Sequence, residues 1–63
     1  MKKVKLSLEG INGNAFVIMG TFMKAAKKQG WTEKEIDDVI LECKSGDYDH
    51  LIQTIMSNIE DED

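Results

Sequence analysis

His50 is the only imidazole in the chain, one residue from Asp49 and three from Asp47, a spacing from which an acid–base pair could be drawn. With Asp47 as the N-cap of a helix, however, His50 falls at the third helical position. A polar side chain there commonly serves the helix end, and capping is the preferred reading. Cys43, the single cysteine, falls with Val39 and Ile40 on one stripe of a helix. That is the setting of a buried structural thiol, not of a nucleophile. One Cys and one His cannot make a four-ligand zinc site without several carboxylates. There is no second histidine, no nucleophile elbow and no P-loop lysine after a glycine run. On these residues the chain is expected not to be an enzyme and to use no cofactor or metal.

Two other segments suit binding better. In Leu8-Glu9-Gly10-Ile11-Asn12-Gly13-Asn14-Ala15-Phe16 the glycines allow close backbone approach, and a helix N-terminus favours an anion. A plain turn explains the same residues. If a ligand binds, Asn12 and Asn14 would contact a ribose or a base, Gly13 would offer its backbone, and Phe16 would stack. The second segment is Gly46-Asp47-Tyr48-Asp49-His50. There Tyr48 could stack on a base and Asp49 accept from its N–H groups; the alternative is a helix cap with Tyr48 packed over the first turn. Lys24, Lys27 and Lys28 form a basic patch. Lys24 would neutralise a phosphate, although cations are also favoured near a helix C-terminus for purely structural reasons.

These groups must be positioned by a short series of elements. Lys2 to Glu9 alternates, with Val4, Leu6 and Leu8 on one face, the period of a half-buried strand. After the turn at 10–14, Ala15 to Gln29 reads as a helix capped by Asn14 or Asn12. Its apolar face (Ala15, Phe16, Ile18, Met19, Phe22, Met23, Ala25, Ala26) covers about half the circumference. Gly30 closes it. Thr32 and Glu35 form a capping box, with Trp31 and Ile36 as a hydrophobic staple. The second helix then runs from Glu33 to about Ser45, with Ile36, Val39, Ile40 and Cys43 inward. Asp47 caps a third, Tyr48 to about Asn58, carrying Leu51, Ile52, Ile55, Met56 and Ile59. Residues 60–63 read as a frayed acidic tail. The order is β-α-α-α, an α+β fold in one domain spanning residues 1–63.

A lone strand has unpaired N–H and C=O groups that must be satisfied somewhere. The half-circumference face of the first helix is also too wide for two short helices and one strand to cover fully. At 63 residues only about 60% of the unfolded surface is buried, and small folds add a disulfide, a metal or a partner subunit. With one cysteine, a partner subunit is expected: a homodimer or homotetramer with the strand paired between subunits. The alternative is a monomer with a hairpin inside residues 1–18.

The net charge is −4, with six lysines against Glu9 in residues 1–30 and two against eleven acids in residues 31–63. An acidic chain is a poor binder of DNA or RNA polymers, whose affinity rests on phosphate neutralisation. All eight basic residues are lysine, so a phosphate would be met by point charges and backbone amides. No apolar run approaches the roughly 20 residues of a membrane span, and the basic Met1–Lys5 leads into no apolar stretch. A reducing cytoplasm is the expected compartment.

Leu8-Glu9-Gly10, Asn12-Gly13-Asn14-Ala15-Phe16, Gly30-Trp31 and Gly46-Asp47-Tyr48-Asp49-His50-Leu51 resemble the pattern of small uncharacterised proteins encoded by bacteriophages and their hosts. The resemblance spans most of residues 3–56. More broadly, in its size, expected assembly and lack of catalytic groups, the chain resembles phage sponge proteins, small oligomers that sequester nucleotide immune signals such as cyclic dinucleotides. That likeness implies a non-catalytic binder of a small nucleotide-type signal in the bacterial host cytoplasm, acting in evasion of immunity. The absence of Arg departs from a phosphate-clamping site. The alternative function is a protein-interaction adaptor or inhibitor of a host protein.

Overall fold

The computed structural model describes residues 3–60. Its elements are β1 (Val4–Lys5), α1 (Ala15–Lys28), α2 (Glu33–Lys44), α3 (Tyr48–Ser57) and β2 (Ile59–Glu60). The β-α-α-α order is therefore observed, with a second short strand after it. Lys2, where the expected strand begins, and residues 61–63 of the expected tail lie outside the described residues.

Local sequence explains each helix boundary. Asn14 Oδ1 accepts from the Phe16 N–H at 2.8 Å and starts α1. Gly30, with φ +92°, ends it. There the Trp31 N–H reaches Ala26 O at 3.0 Å and the Gly30 N–H reaches Lys27 O at 3.2 Å. This is the Schellman pattern, which needs a left-handed residue just past the helix. The capping box of α2 is present in both directions: Thr32 Oγ1 accepts from the Glu35 N–H at 3.2 Å, and Glu35 Oε1 from the Thr32 N–H at 2.8 Å. Asp47 Oδ1 caps α3 by accepting from the His50 N–H at 2.9 Å.

The core is Val4, Ile18, Met19, Phe22, Ala26, Trp31, Ile36, Cys43, Leu51 and Ile55, all buried. Trp31 stands edge-on to Phe22, ring centroids 5.5 Å apart at 87°, a favoured aromatic geometry. Its ring is part of the core. Leu6 and Leu8 pack on this cluster half-buried, so the alternation of the first segment holds in burial even where it is not a strand.

Two expectations are corrected. First, the strand has a partner within the chain: β1 runs parallel to β2, with Val4 opposite Ile59 and Lys5 opposite Glu60. The Val4 N–H donates to Asn58 O at 2.9 Å and the Leu6 N–H to Glu60 O at 3.1 Å. The pairing is neither a lone strand nor a hairpin inside residues 1–18. Ile59 and Glu60, assigned to a helix and a frayed tail, form β2 because α3 stops at its C-cap Asn58. Second, among the described residues the strand is confined to Val4–Lys5, paired with Ile59–Glu60, and does not continue to Glu9. The width of the α1 face, by contrast, has the expected result: Phe16 and Met23 are 79% and 41% exposed, and Met56 of α3 is 57% exposed. The core fills with Ile18, Met19, Phe22 and Ala26, and the edges of the α1 face stay outside it, as its width implied.

Candidate functional site

The two segments singled out for binding meet in space. The Tyr48 hydroxyl donates to the carbonyl of Gly13, which ties the loop before α1 to the first turn of α3. Between them runs a cleft of about 380 Å³ lined by Ala15, Phe16, Met19, Cys43, Lys44, Gly46, Asp47, Tyr48 and Leu51. The antiparallel α1–α2 hairpin and the tight α2–α3 turn build it. Met19, Cys43 and Leu51 make an apolar floor, while Phe16 (79% exposed) and Tyr48 (49% exposed) present their rings to solvent.

The expected site residues divide. Phe16 and Tyr48 line the cleft. Gly13 touches it only through Tyr48, and its carbonyl is taken by that hydroxyl, so its backbone is less open than expected. Asn12 and Asn14 are exposed, but their side-chain oxygens are used locally. Asn12 Oδ1 accepts from the Asn14 N–H at 2.8 Å, and Asn14 Oδ1 caps α1. Their NH₂ groups and one remaining lone pair on each oxygen are left for a ligand. Asp49 is exposed on the first turn of α3 and does not line the cleft. Lys24 is elsewhere. It lies eight residues beyond Phe16, about 12 Å along the helix, and lines a separate cleft of about 330 Å³ with Gly20, Met23, Lys27, Glu33, Ile36 and Asp37.

Lys44 is the charged cleft residue that sequence reasoning missed. A short α1–α2 connection implies antiparallel neighbours, and that pairing would have set the end of α2 beside the start of α1.

His50 forms a second cluster. Its Nε2 is 2.8 Å from Glu42 Oε2 and 3.3 Å from Ser45 Oγ, and Ser45 Oγ donates to Glu42 O at 2.7 Å. The residue types are those of a hydrolytic triad, but the geometry is not. A triad needs serine and carboxylate on opposite ring nitrogens, so that one nitrogen can accept the serine proton while the other is held. Here both crowd Nε2, and the serine hydroxyl has Glu42 O at 2.7 Å and Glu42 Oε2 at 3.2 Å as nearer acceptors. The cluster instead clips the C-terminus of α2 to the start of α3. The ring also lies over Gly46, where a Cβ would come within 2.8 Å of three His50 carbons.

Comparison with protein-family models, curated proteins and solved structures gives no match to this chain. Chemistry in this chain is therefore read from the cleft's own residues. Its buried thiol, Cys43, is held above the ordinary thiol range, chiefly by burial and then by the Glu42 carboxylate, with a backbone hydrogen bond opposing. It is a floor residue. Among the described residues no group of three or more His, Cys, Asp or Glu is placed to hold a metal ion, and no helix is long and apolar enough to cross a membrane.

Proposed function

We propose that the chain is a non-catalytic binding domain that takes a small nucleotide-type ligand, such as a cyclic nucleotide, in the Phe16–Tyr48 cleft. One observation carries this reading: two solvent-facing aromatic rings, Phe16 and Tyr48, flank an apolar-floored cleft of about 380 Å³ that also holds Lys44. Rings so placed can stack on a base, and a base–aromatic stack contributes about 1–3 kcal/mol. Lys44 meets a phosphate as a point charge, and the exposed Asn12 and Asn14 add donors from the loop that Tyr48 ties to the cleft. The likeness to phage sponges supplies the biological setting, sequestration of an immune signal in the host cytoplasm by an oligomer. In that oligomer the strand would pair between subunits through the outer edge of β2, since the Gln29 side-chain amide bonds the Lys5 N–H and C=O on the outer edge of β1.

Native mass spectrometry with a mixture of mono-, di- and cyclic nucleotides tests the reading. A stoichiometric adduct is expected, weakened at least ten-fold by Phe16→Ala. Phe16 is exposed, so the variant keeps the fold. Absence of any adduct at millimolar nucleotide defeats the proposal.

A second reading is favoured by the exposure of Phe16, Val17 and Met23 on α1: an adaptor or inhibitor that docks a host protein through an apolar helix face. It predicts a protein partner whose binding is lost in Met23→Glu, and no nucleotide adduct.

A further inference from the structure

We infer that a second copy of this chain packs face to face on the α1–α2 hairpin, antiparallel about a twofold axis at Gly20, and brings its own Lys24 and Lys27 to the Phe16–Tyr48 cleft. The inference deepens the nucleotide reading, since it supplies the charge the cleft lacks, but the contact stands on its own observations.

Phe16, Gly20, Met23 and Lys27 fall within about 60° of arc on α1 at the helical repeat. Phe16 is the most exposed of the described large apolar side chains at 79%, and Met23 is 41% exposed. Between them Gly20 sits in mid-helix, where glycine weakens a helix. Nothing within the protomer calls for it: an added Cβ would find no atom within 4 Å. A glycine with open space above it, flanked by apolar residues four before and three after, is the centre of a self-complementary stripe. Rotation by 180° about Gly20 lays Phe16 on the second copy's Met23 and the reverse, and the two backbones can approach closely at the glycine.

Charge selects both the occupant and its direction. At the Phe16 end the face carries Lys44 and Asp47. At the Met23 end it carries Lys24 and Lys27 beside Glu33 and Asp37. The antiparallel arrangement turns Lys24 and Lys27 toward the Asp47 of the other copy, and Glu33 and Asp37 toward its Lys44. A parallel one would stack Lys27 on Lys27 along the shared stripe. A partner of uniform charge meets repulsion at both ends, whereas this face matches itself. The same symmetry makes the cleft composite: Tyr48 and Lys44 from one copy face Lys24 and Lys27 from the other, and Phe16, packed on one side by the second copy's Met23, becomes part of its wall.

Native mass spectrometry without nucleotide, combined with single-cysteine cross-linking, tests the geometry; Cys43 is buried and the unmodified chain serves as the control. The expected results are a dimer, its loss in Met23→Glu, and rapid disulfide formation by Gly20→Cys alone. Phe16→Cys and Met23→Cys should each cross-link slowly by themselves and at least ten-fold faster when mixed. A monomer at every concentration overturns the inference, and so does self-cross-linking at positions 16 or 23 as fast as at 20. A dimer that takes no nucleotide removes only the ligand reading; a monomer that binds nucleotide removes only this one.

Discussion

The side-chain amide of Gln29 lies along the backbone of Lys5 as a strand would, accepting from its N–H at 2.9 Å and donating to its carbonyl at 2.8 Å. Both groups point away from β2, so one glutamine covers the outer edge of β1. Gln29→Ala removes two hydrogen bonds that water replaces in part, and about 0.5–1.5 kcal/mol of stability should go with them. The bared edge should also promote self-association. Urea unfolding and hydrogen exchange at the Lys5 amide check this; an unchanged exchange rate there would contradict it.

Two glycines beside the cleft should respond oppositely to alanine. Gly46→Ala drives a Cβ into the His50 ring and should cost about 1–3 kcal/mol, the usual range for overpacking. At Gly13 an added Cβ meets only the Tyr48 hydroxyl, at an ordinary 3.5 Å, so Gly13→Ala should stay within about 0.5 kcal/mol. Thermal midpoints separate the two, at roughly 4–8 °C per kcal/mol for a domain of this size.

Tyr48→Phe keeps the ring and removes the bond to the Gly13 carbonyl. About 0.5–1.5 kcal/mol of stability should be lost, while stacking of a base on the ring should persist. A variant that stays fully stable, measured by urea titration, would mean the 12–14 loop is held without Tyr48.

Cys43 should react with a thiol reagent only when the protein opens, since it is 1% exposed and its thiol is raised above its ordinary value. The fold favours the protonated form. Its contribution is therefore complete below the unfolded thiol's pKa and falls away as pH rises through that value toward the folded one. Unfolding free energies taken at rising alkaline pH should decline more steeply for the natural chain than for Cys43→Ala. Parallel profiles would refute this, as would labelling at the rate of a free thiol.

Thr32→Ala should cost about 1 kcal/mol through loss of the cap on α2, read by the same urea titration. Stability equal to that of the unaltered chain would show that Glu35 alone suffices.

What the sequence made legible was local. Asn14, Gly30, Thr32 with Glu35, and Asp47 each act on a backbone group within four residues, and the helix limits followed within a residue or so. The misses are long-range. Ile59 continues the spacing of Ile55, so nothing local marks it as a strand, and Gln29 reaches Lys5 across 24 positions. Similarly, the half-circumference face of α1 told that something must stay exposed, but only packing decided that it was Phe16 and Met23. In the candidate site, Phe16 and Tyr48 were recognisable as aromatic residues near helix starts. Their convergence, and the arrival of Lys44, depended on how α1 and α2 pair.

The parallel pairing of Val4 with Ile59 also sets the order of events as the chain is made. At roughly 5–20 residues per second, Val4 waits some seconds after its own synthesis for the carbonyl of Asn58, its acceptor at 2.9 Å. The three helices, whose caps need only near neighbours, can organise in that interval. Gln29, the partner of Lys5, is made well before that, so the step that must wait is the β1–β2 pairing, and any factor that captures Val4, Leu6 and Leu8 early competes with it.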